Sequence, residues 1–309
     1  MLLSELKNGK PFLKWAGGKG QLINAIKQAL PKEIQKKNNL TYIEPFVGSG
    51  ALMFWFLQQY KNVKKAVIND INPDLFKAYT AIKFSPGKLI KSLQIIEREY
   101  YMLKTEKEKL DFFLEKRDAF NTRKQNDLQN TSLLIFLNRT CFNGLYRVNS
   151  RNKFNVPFGR YLRPKICNAE TILADSKILE KVTIRNGDYA DTLNYCTKET
   201  FFYFDPPYKP ISKTSSFTSY SNEVFDNKQQ ERLKEFCKQL DNLGHKWLLS
   251  NSDLKNMDQK DNYFDELYSD YNIVRVKAKR SINSISSKRG EINELLIANY
   301  ETENLSQRV

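Results

Sequence analysis

Asp205 ends a run of apolar and aromatic residues, Phe201 to Phe204, and is followed by Pro206, Pro207 and Tyr208. A buried strand that stops on an aspartate delivers the carboxylate to the carboxyl edge of a sheet, where open α/β sheets bind their ligands. Both prolines hold φ at about −65° and donate no N–H, so their carbonyls stand as free acceptors. Tyr208 adds a flat aromatic face. Two acceptors beside a stacking ring suit an exocyclic amine on a planar base. Such an amine is a poor nucleophile, because its lone pair is delocalised into the ring. Hydrogen bonds from its two N–H groups to Asp205 and the Pro206 carbonyl would favour an sp3 nitrogen with the lone pair free. A methyl on a sulfonium, in line with that lone pair, would then transfer directly by proximity and orientation. No histidine base is required, and His245, the only histidine, reads as a surface or structural residue.

Two glycine loops precede this site. AGGKG, Ala16 to Gly20, lacks the lysine-hydroxyl ending of a phosphate loop, because Lys19 is followed by Gly20. EPFVGSG, Glu44 to Gly50, follows a strand and opens a helix, so Gly48 and Gly50 let backbone approach a ligand. Only two of the three glycines of a dinucleotide cradle are present, and a structural turn would look the same. Asp70 follows 20 residues after Gly50, at the end of the next strand, placed to accept from ribose hydroxyls. Together these predict an adenosine-containing ligand without a pyrophosphate.

The elements that must position these residues follow from hydrophobic periodicity. YIEPF, ALMFWFLQQY and KKAVIND read as strand, helix and strand, one βαβ unit with a right-handed crossover. PFLK reads as a strand-like piece and QLINAIKQALP as an amphipathic helix. From about residue 76 to 130 the chain is helical and charged, and it reads as an insertion, with NTRKQNDLQN of low complexity. The helix SLLIFLNRTCFN and a Gly-, Arg-, Asn- and Lys-rich loop follow. KVTIRNGDY, TFFYFDPPY and HKWLLSNSD resume the sheet, with NKQQERLKEFCKQL as a helix. FDELYSDYNIVRVKAKR and EINELLIANY read as further strands.

The chain has 309 residues, 40% of them hydrophobic, enough for a large domain carrying a second unit. Its net charge of +15 favours a polyanionic partner, and Arg275 to Arg289 carries six basic residues and no acid. Four scattered cysteines suggest reduced thiols and no metal site. With no run of about 18 apolar residues and no signal-peptide order at the N-terminus, a cytoplasmic protein without membrane contact is expected.

In order, FLKWAGGK, EPFVGSG, NDINPDL, LNRTCFNGLYRVN, KFNVPFGRY and FDPPY resemble the DNA adenine methylase family of N6-adenine methyltransferases, including its restriction-modification relatives. The resemblance implies an α/β fold: a Rossmann-like S-adenosylmethionine-dependent domain over residues 1–75 and 165–309. A mainly helical DNA target-recognition domain would be inserted at 76–164, with a recognition hairpin near 142–160. S-adenosylmethionine would be the methyl donor. Trp15, Lys19, Glu44, Phe46, Gly48, Gly50, Asp70, Asp188 and Asp205 would bind it, with Lys19 near its carboxylate and Asp188 at its adenine. Asp205, Pro206, Pro207 and Tyr208 would form the catalytic motif.

The resemblance also assigns Phe142, Asn143, Leu145, Arg147, Asn149 and Pro157 to double-stranded DNA. Arg147 would read a guanine, Leu145 and Pro157 would pack on thymine, and Phe142 with Asn143 would enter the duplex beside a flipped adenine. Lys277, Lys279 and Arg280 would track the backbone. The implied site is GATC, with longer sites containing GAT as the alternative, and a cognate restriction endonuclease as a candidate partner. Methylation of RNA adenine or protein glutamine fits less well, because those relatives carry Asn in place of the first Asp. A silent DNA-binding relative is opposed by the intact Asp70, Asp205 and Tyr208.

Overall fold

The structure, a computed structural model, describes residues 8–15, 19–208, 225–279 and 291–302. Runs of β-branched and aromatic residues form seven strands among the described residues. They are β1 (Leu40–Glu44), β2 (Val63–Asp70), β3 (Val182–Asn186), β4 (Thr200–Phe204), β5 (Lys246–Ser252), β6 (Asn272–Lys279) and β7 (Glu291–Ala298). They join in one sheet of order β3-β2-β1-β4-β5-β7-β6. β1 to β5 pair in parallel, and β7 runs antiparallel to both β5 and β6.

From β1 the chain steps outward to β2 and β3, then returns to place β4 on the other side of β1. Strand order therefore reverses between β1 and β4, and the crevice beyond their carboxyl ends is where such sheets bind ligands. Every residue of β1 and β4 is buried, as expected of central parallel strands covered on both faces.

The helices are α1 (Ile23–Ala29), α2 (Ala51–Gln59), α3 (Pro73–Phe84), α4 (Pro86–Met102), α5 (Glu106–Asn121), α6 (Asp127–Thr140), α7 (Ala169–Leu179), α8 (Asn227–Asn242) and α9 (Tyr263–Leu267). Side chains of β4 alternate between two cores, as the period of a strand requires. Phe201 and Tyr203 pack with Tyr42 and Phe56, whereas Phe202 and Phe204 pack with Phe236, Leu240 and Trp247. Leu233, Phe236 and Leu240 form the buried stripe of α8, whose N-terminus is capped by Asp226. The first core runs without a break from Tyr42 and Phe56 into the helical block at Phe113, Phe120 and Phe136.

Three local expectations differ from the structure. Residues 11–14 form no strand, because the side-chain amide of Asn138 on α6 takes the place of a neighbouring strand. Its Oδ1 accepts from the Lys14 N–H at 2.8 Å, and its Nδ2 donates to the Lys14 carbonyl at 2.8 Å. FDEL forms the short helix α9, not a strand. α6 begins inside the segment read as low complexity, because Asn126 caps it by accepting from the Gln129 N–H. His245 is 8% exposed and so takes the structural alternative.

Candidate active site

The carboxyl edge of the sheet gathers residues from five distant stretches of chain, at Lys19, the loop from Glu44 to Gly50, Asp70, Asp205 to Tyr208, and Glu294. After β1, Gly48 and Gly50 adopt φ of +49° and +72°, a region open to glycine at no steric cost. A Cβ at Gly48 would sit 3.3 Å from Trp15, and one at Gly50 would sit 2.5 Å from the Tyr79 hydroxyl. That hydroxyl donates to the Gly48 carbonyl at 2.9 Å, so α3 pins the loop from below. Phe46 closes one side of the edge against Tyr189 and Phe225, at ring separations of 5.1 and 5.8 Å.

Asp70, at the end of β2, stitches this loop to the next one. One carboxylate oxygen accepts from the Gly48 N–H at 3.0 Å, the other from the Asn72 N–H at 2.9 Å. Each oxygen keeps a lone pair for an incoming hydroxyl. Burial raises its pKa to about 6, against the lowering effect of these two N–H bonds. Glu44 is 2% exposed and turned inward, accepting from the Tyr42 hydroxyl at 2.6 Å. Burial first, then the charges of Asp205 and Asp70, drive its pKa well above the carboxylate range.

Asp205 follows β4 directly. Its Oδ1 accepts from Ser250 at 3.2 Å, and Ser250 in turn lies 2.8 Å from the Tyr203 hydroxyl. The Lys19 ammonium lies 3.1 Å from the same Oδ1, so among the described residues both partners of Asp205 lie on one oxygen. Burial raises the Asp205 pKa to about 6; Lys19 opposes the rise and Glu294 adds to it. Burial lowers the Lys19 pKa, but the two carboxylates outweigh it and the net shift is upward.

Glu294, on β7, escaped the sequence reading. Its Oε2 accepts from Lys19 at 2.9 Å and from the Tyr208 hydroxyl at 2.8 Å. Lys19 also hydrogen-bonds the Tyr208 hydroxyl and lies 4.4 Å from that ring's centre. The signal in the sequence was an acid in NELLIA at an alternation position shared with Ile292, Leu296 and Ala298, the face that joins the first core.

Asp188, Trp15 and the hairpin have specific neighbours. Asp188 caps its own turn by accepting from the Ala190 N–H at 2.8 Å, and it forms a two-bond ion pair with Arg232 at 2.7 and 2.8 Å. That pair, first, holds its carboxyl below the usual range. Trp15 stacks on Tyr146 at 5.0 Å. The Tyr146 hydroxyl donates to Asp74 at 2.8 Å, and Arg123 clamps both Asp74 oxygens at 2.6 and 2.7 Å. The turn after Asp70 is thereby tied to the hairpin through Asp74, another residue that sequence reasoning missed.

Within the hairpin, Phe142 is 54% exposed and Asn143 adopts a φ of +55°. Arg147 donates from Nε to Asn155 Oδ1 at 2.7 Å and from Nη2 to the Asn155 carbonyl at 3.1 Å. Asn149 spends its Oδ1 on the Arg151 and Lys153 N–H groups, at 3.0 and 3.1 Å, and so builds the turn. Leu145 is half-buried against the first core, while Pro157 is exposed and its carbonyl accepts from the Phe142 N–H at 2.8 Å.

On the far edge, Lys277 is exposed on β6, Lys279 pairs in register with Glu291, and Arg280 lies outside the described residues. Arg275, counted in the basic run, is instead neutralised by Asp253 at 3.0 Å and Asp265 at 2.8 Å. No helix among the described residues is long and apolar enough to cross a membrane.

Comparison with known proteins gives the chain a family. The family of D12 class N6 adenine-specific DNA methyltransferases matches residues 15–282. The chain is 47% identical over 294 residues to the Type II methyltransferase M.MjaIII of Methanocaldococcus jannaschii, covering 94% of this chain and 99% of that one. It is 40% identical to the Type II methyltransferase M1.LlaDCHI of Lactococcus lactis subsp. cremoris, over 95% and 96% of the two chains. With the DNA adenine methylase of Escherichia coli strain K12 the identity is 33%, over 94% and 95%. The chain therefore belongs to the D12 class of N6 adenine-specific DNA methyltransferases, and its methyl donor is S-adenosylmethionine. The site fits that donor: a glycine loop whose Cβ positions are closed, a carboxylate with spare lone pairs at Asp70, and an aromatic wall at Phe46.

Proposed function

We propose that the chain methylates the N6 amine of an adenine flipped out of duplex DNA, within GATC. The observation that carries the mechanism is Asp205: a strand-end carboxylate whose described partners both lie on Oδ1. Oδ2 then accepts one N–H of the amine and the Pro206 carbonyl the other, while Tyr208 stacks on the ring. S-adenosylmethionine would supply the methyl, already activated on its sulfonium; its sulfur would leave as the neutral thioether, and the proton shed by the methylated nitrogen would pass by way of Asp205 Oδ2 to solvent. The protein's task is therefore orientation, which is worth up to about 7–11 kcal/mol when the reacting atoms are held in line. Ser250 and Lys19 hold the carboxylate in place for that role.

A paired adenine cannot present its amine lone pair, so the base must leave the stack. The exposed Phe142 and the neighbouring Asn143 are suited to fill the gap. Asn155 grips one edge of the Arg147 guanidinium, which supports a fixed two-bond contact from its other edge to guanine O6 and N7. Leu145 and Pro157 would meet thymine methyls, and residues 76–164 would serve as the target-recognition domain. Asn149 contributes by shaping the turn. Trp15, Gly48, Gly50, Asp70 and Asp188 would hold the donor, with Arg232 released from Asp188 or shared with it. GATC rests on the resemblance of LYRVN and NVPFG to the adenine methylases. The names of the Type II relatives support a restriction-modification setting with a cognate endonuclease as partner, and a cytoplasmic location is part of the same proposal.

One experiment tests activity and site together. Unmethylated plasmid is incubated with the protein and S-adenosylmethionine, and modified adenines are mapped by base. Methylation confined to GATC is expected; methylation within a longer motif reassigns the site, and none on any adenine refutes the reading.

A further inference from the structure

Glu294 joins two site residues, Lys19 and Tyr208, that lie 189 residues apart in the chain. Its Oε2 accepts from both Lys19 and Tyr208, and Lys19 also pairs with Asp205 at 3.1 Å. The side chains of Lys19 and Glu294 are 5% and 12% exposed. Glu294 sits on a strand paired on both sides, to Ser252 of β5 and Val276 of β6. Its position is therefore set by the sheet and not by a loop.

The charge count at this cluster is uneven. Two carboxylates, Asp205 and Glu294, share one ammonium. Asp70 adds a further carboxylate at the same edge, and no other cation pairs with Asp205 or Glu294 among the described residues. Catalysis by Asp205 as an acceptor does not require the second carboxylate. A neutral acceptor at position 294 would satisfy Lys19 and the Tyr208 hydroxyl equally well as hydrogen-bond donors. What only a carboxylate adds is a net negative charge.

We propose that Glu294 is a specificity-determining residue that favours the cationic methyl donor over its neutral thioether product. The inference rests on the reading that Asp205 receives the target amine. Transfer requires the methyl, and with it the sulfonium, to lie against that amine. Glu294 is bound to the same ammonium as Asp205, so its charge acts on whatever occupies that space. Donor and product carry the same amino acid, ribose and adenine groups and differ at the sulfur by one methyl and one positive charge. The methyl is common to every variant, so the change in the ratio of their affinities on neutralising Glu294 isolates the local electrostatic effect, which burial strengthens relative to water. A site tuned in this way releases spent cofactor and takes up fresh donor between turnovers.

The test measures binding without DNA, by calorimetry at pH 8. The full-length wild type and its Glu294→Gln, Glu294→Ala and Glu294→Asp variants are titrated with S-adenosylmethionine, S-adenosylhomocysteine and sinefungin, which carries an amine cation in place of the sulfonium. Either neutral variant that keeps S-adenosylhomocysteine affinity should lower the donor-to-product affinity ratio by about tenfold, and the sinefungin ratio with it. Glu294→Asp should hold the wild-type ratio. An unchanged ratio in the neutral variants overturns the proposal. So does loss of S-adenosylhomocysteine binding in both of them, which would make Glu294 a structural residue. Failure of the wild type to bind any of the three compounds would instead refute the reading of the site itself.

Discussion

Replacing Asp205 with asparagine separates two properties of this carboxylate, its role at the amine and its cost to the fold. Burial raises its pKa from 3.8 to about 6. At about 1.4 kcal/mol per pKa unit, the ionised side chain is held in the folded protein at a cost of up to about 3 kcal/mol. The side chain is 22% exposed, so water screens part of this. The folded pKa lies above the unfolded one, so the cost is present in full above pH 6. It is relieved as pH falls through 6 and is gone below about 4.

Asparagine keeps the shape and an acceptor oxygen but carries no charge. The net shift already contains the attraction of Lys19 at 3.1 Å, and Lys19 retains Glu294 at 2.9 Å in the variant, so it is not left an uncompensated buried charge and only solvent screening reduces the gain. The expected result is a stabilisation of about 1–2 kcal/mol at pH 8, shrinking towards zero at pH 4.5, read from urea denaturation of both proteins. Methyl transfer in a single turnover should fall at least about a hundredfold, the scale of losing one preorganised partner of a reacting group. In the wild type, transfer should decline as pH drops through about 6, where Asp205 gains a proton. A variant destabilised by about 2 kcal/mol at pH 8, or a stability difference that ignores pH, would refute the burial argument. Near-normal turnover would refute the role at the amine.

Three further perturbations test the rest of the edge and the DNA contacts. Arg147→Ala should cost about 1–3 kcal/mol in discrimination at one guanine; an equal loss on every sequence in competition binding would make it a phosphate contact. Neutralising Lys277, Lys279 and Arg280 together should flatten the slope of log affinity against log salt, and an unchanged slope would remove this edge from the interface. Gly50→Ala forces a Cβ to 2.5 Å from the Tyr79 hydroxyl at a φ of +72°. It should cost about 1–3 kcal/mol of stability and abolish donor binding; calorimetry showing normal binding would take the loop out of the cofactor site.

The sheet, the glycine loop and the strand-end carboxylate of Asp205 were legible in the sequence because each depends on local signals. Hydrophobic runs bounded by Gly, Pro and Asp place β1, β2 and β4, and the spacing of Gly50 and Asp70 follows from one βαβ unit. Segment 11–14 and α9 were misread because short apolar or mixed runs carry no period that separates strand from turn or helix. What decided those cases was a partner elsewhere, such as Asn138 binding the Lys14 backbone.

Residue type and chain order alone determined that a carboxylate, two prolines and a tyrosine would follow a central strand beside a glycine loop. Only the tertiary structure decided which charges meet there. Glu294 lies 86 residues from Tyr208 and 275 from Lys19, and Asp74 reaches Arg123 and Tyr146 across 49 and 72. Contacts at such separations depend on strand order and on the antiparallel return of β7. They leave no periodic trace along the chain, because a buried ion pair is specified by two distant positions and not by the pattern around either.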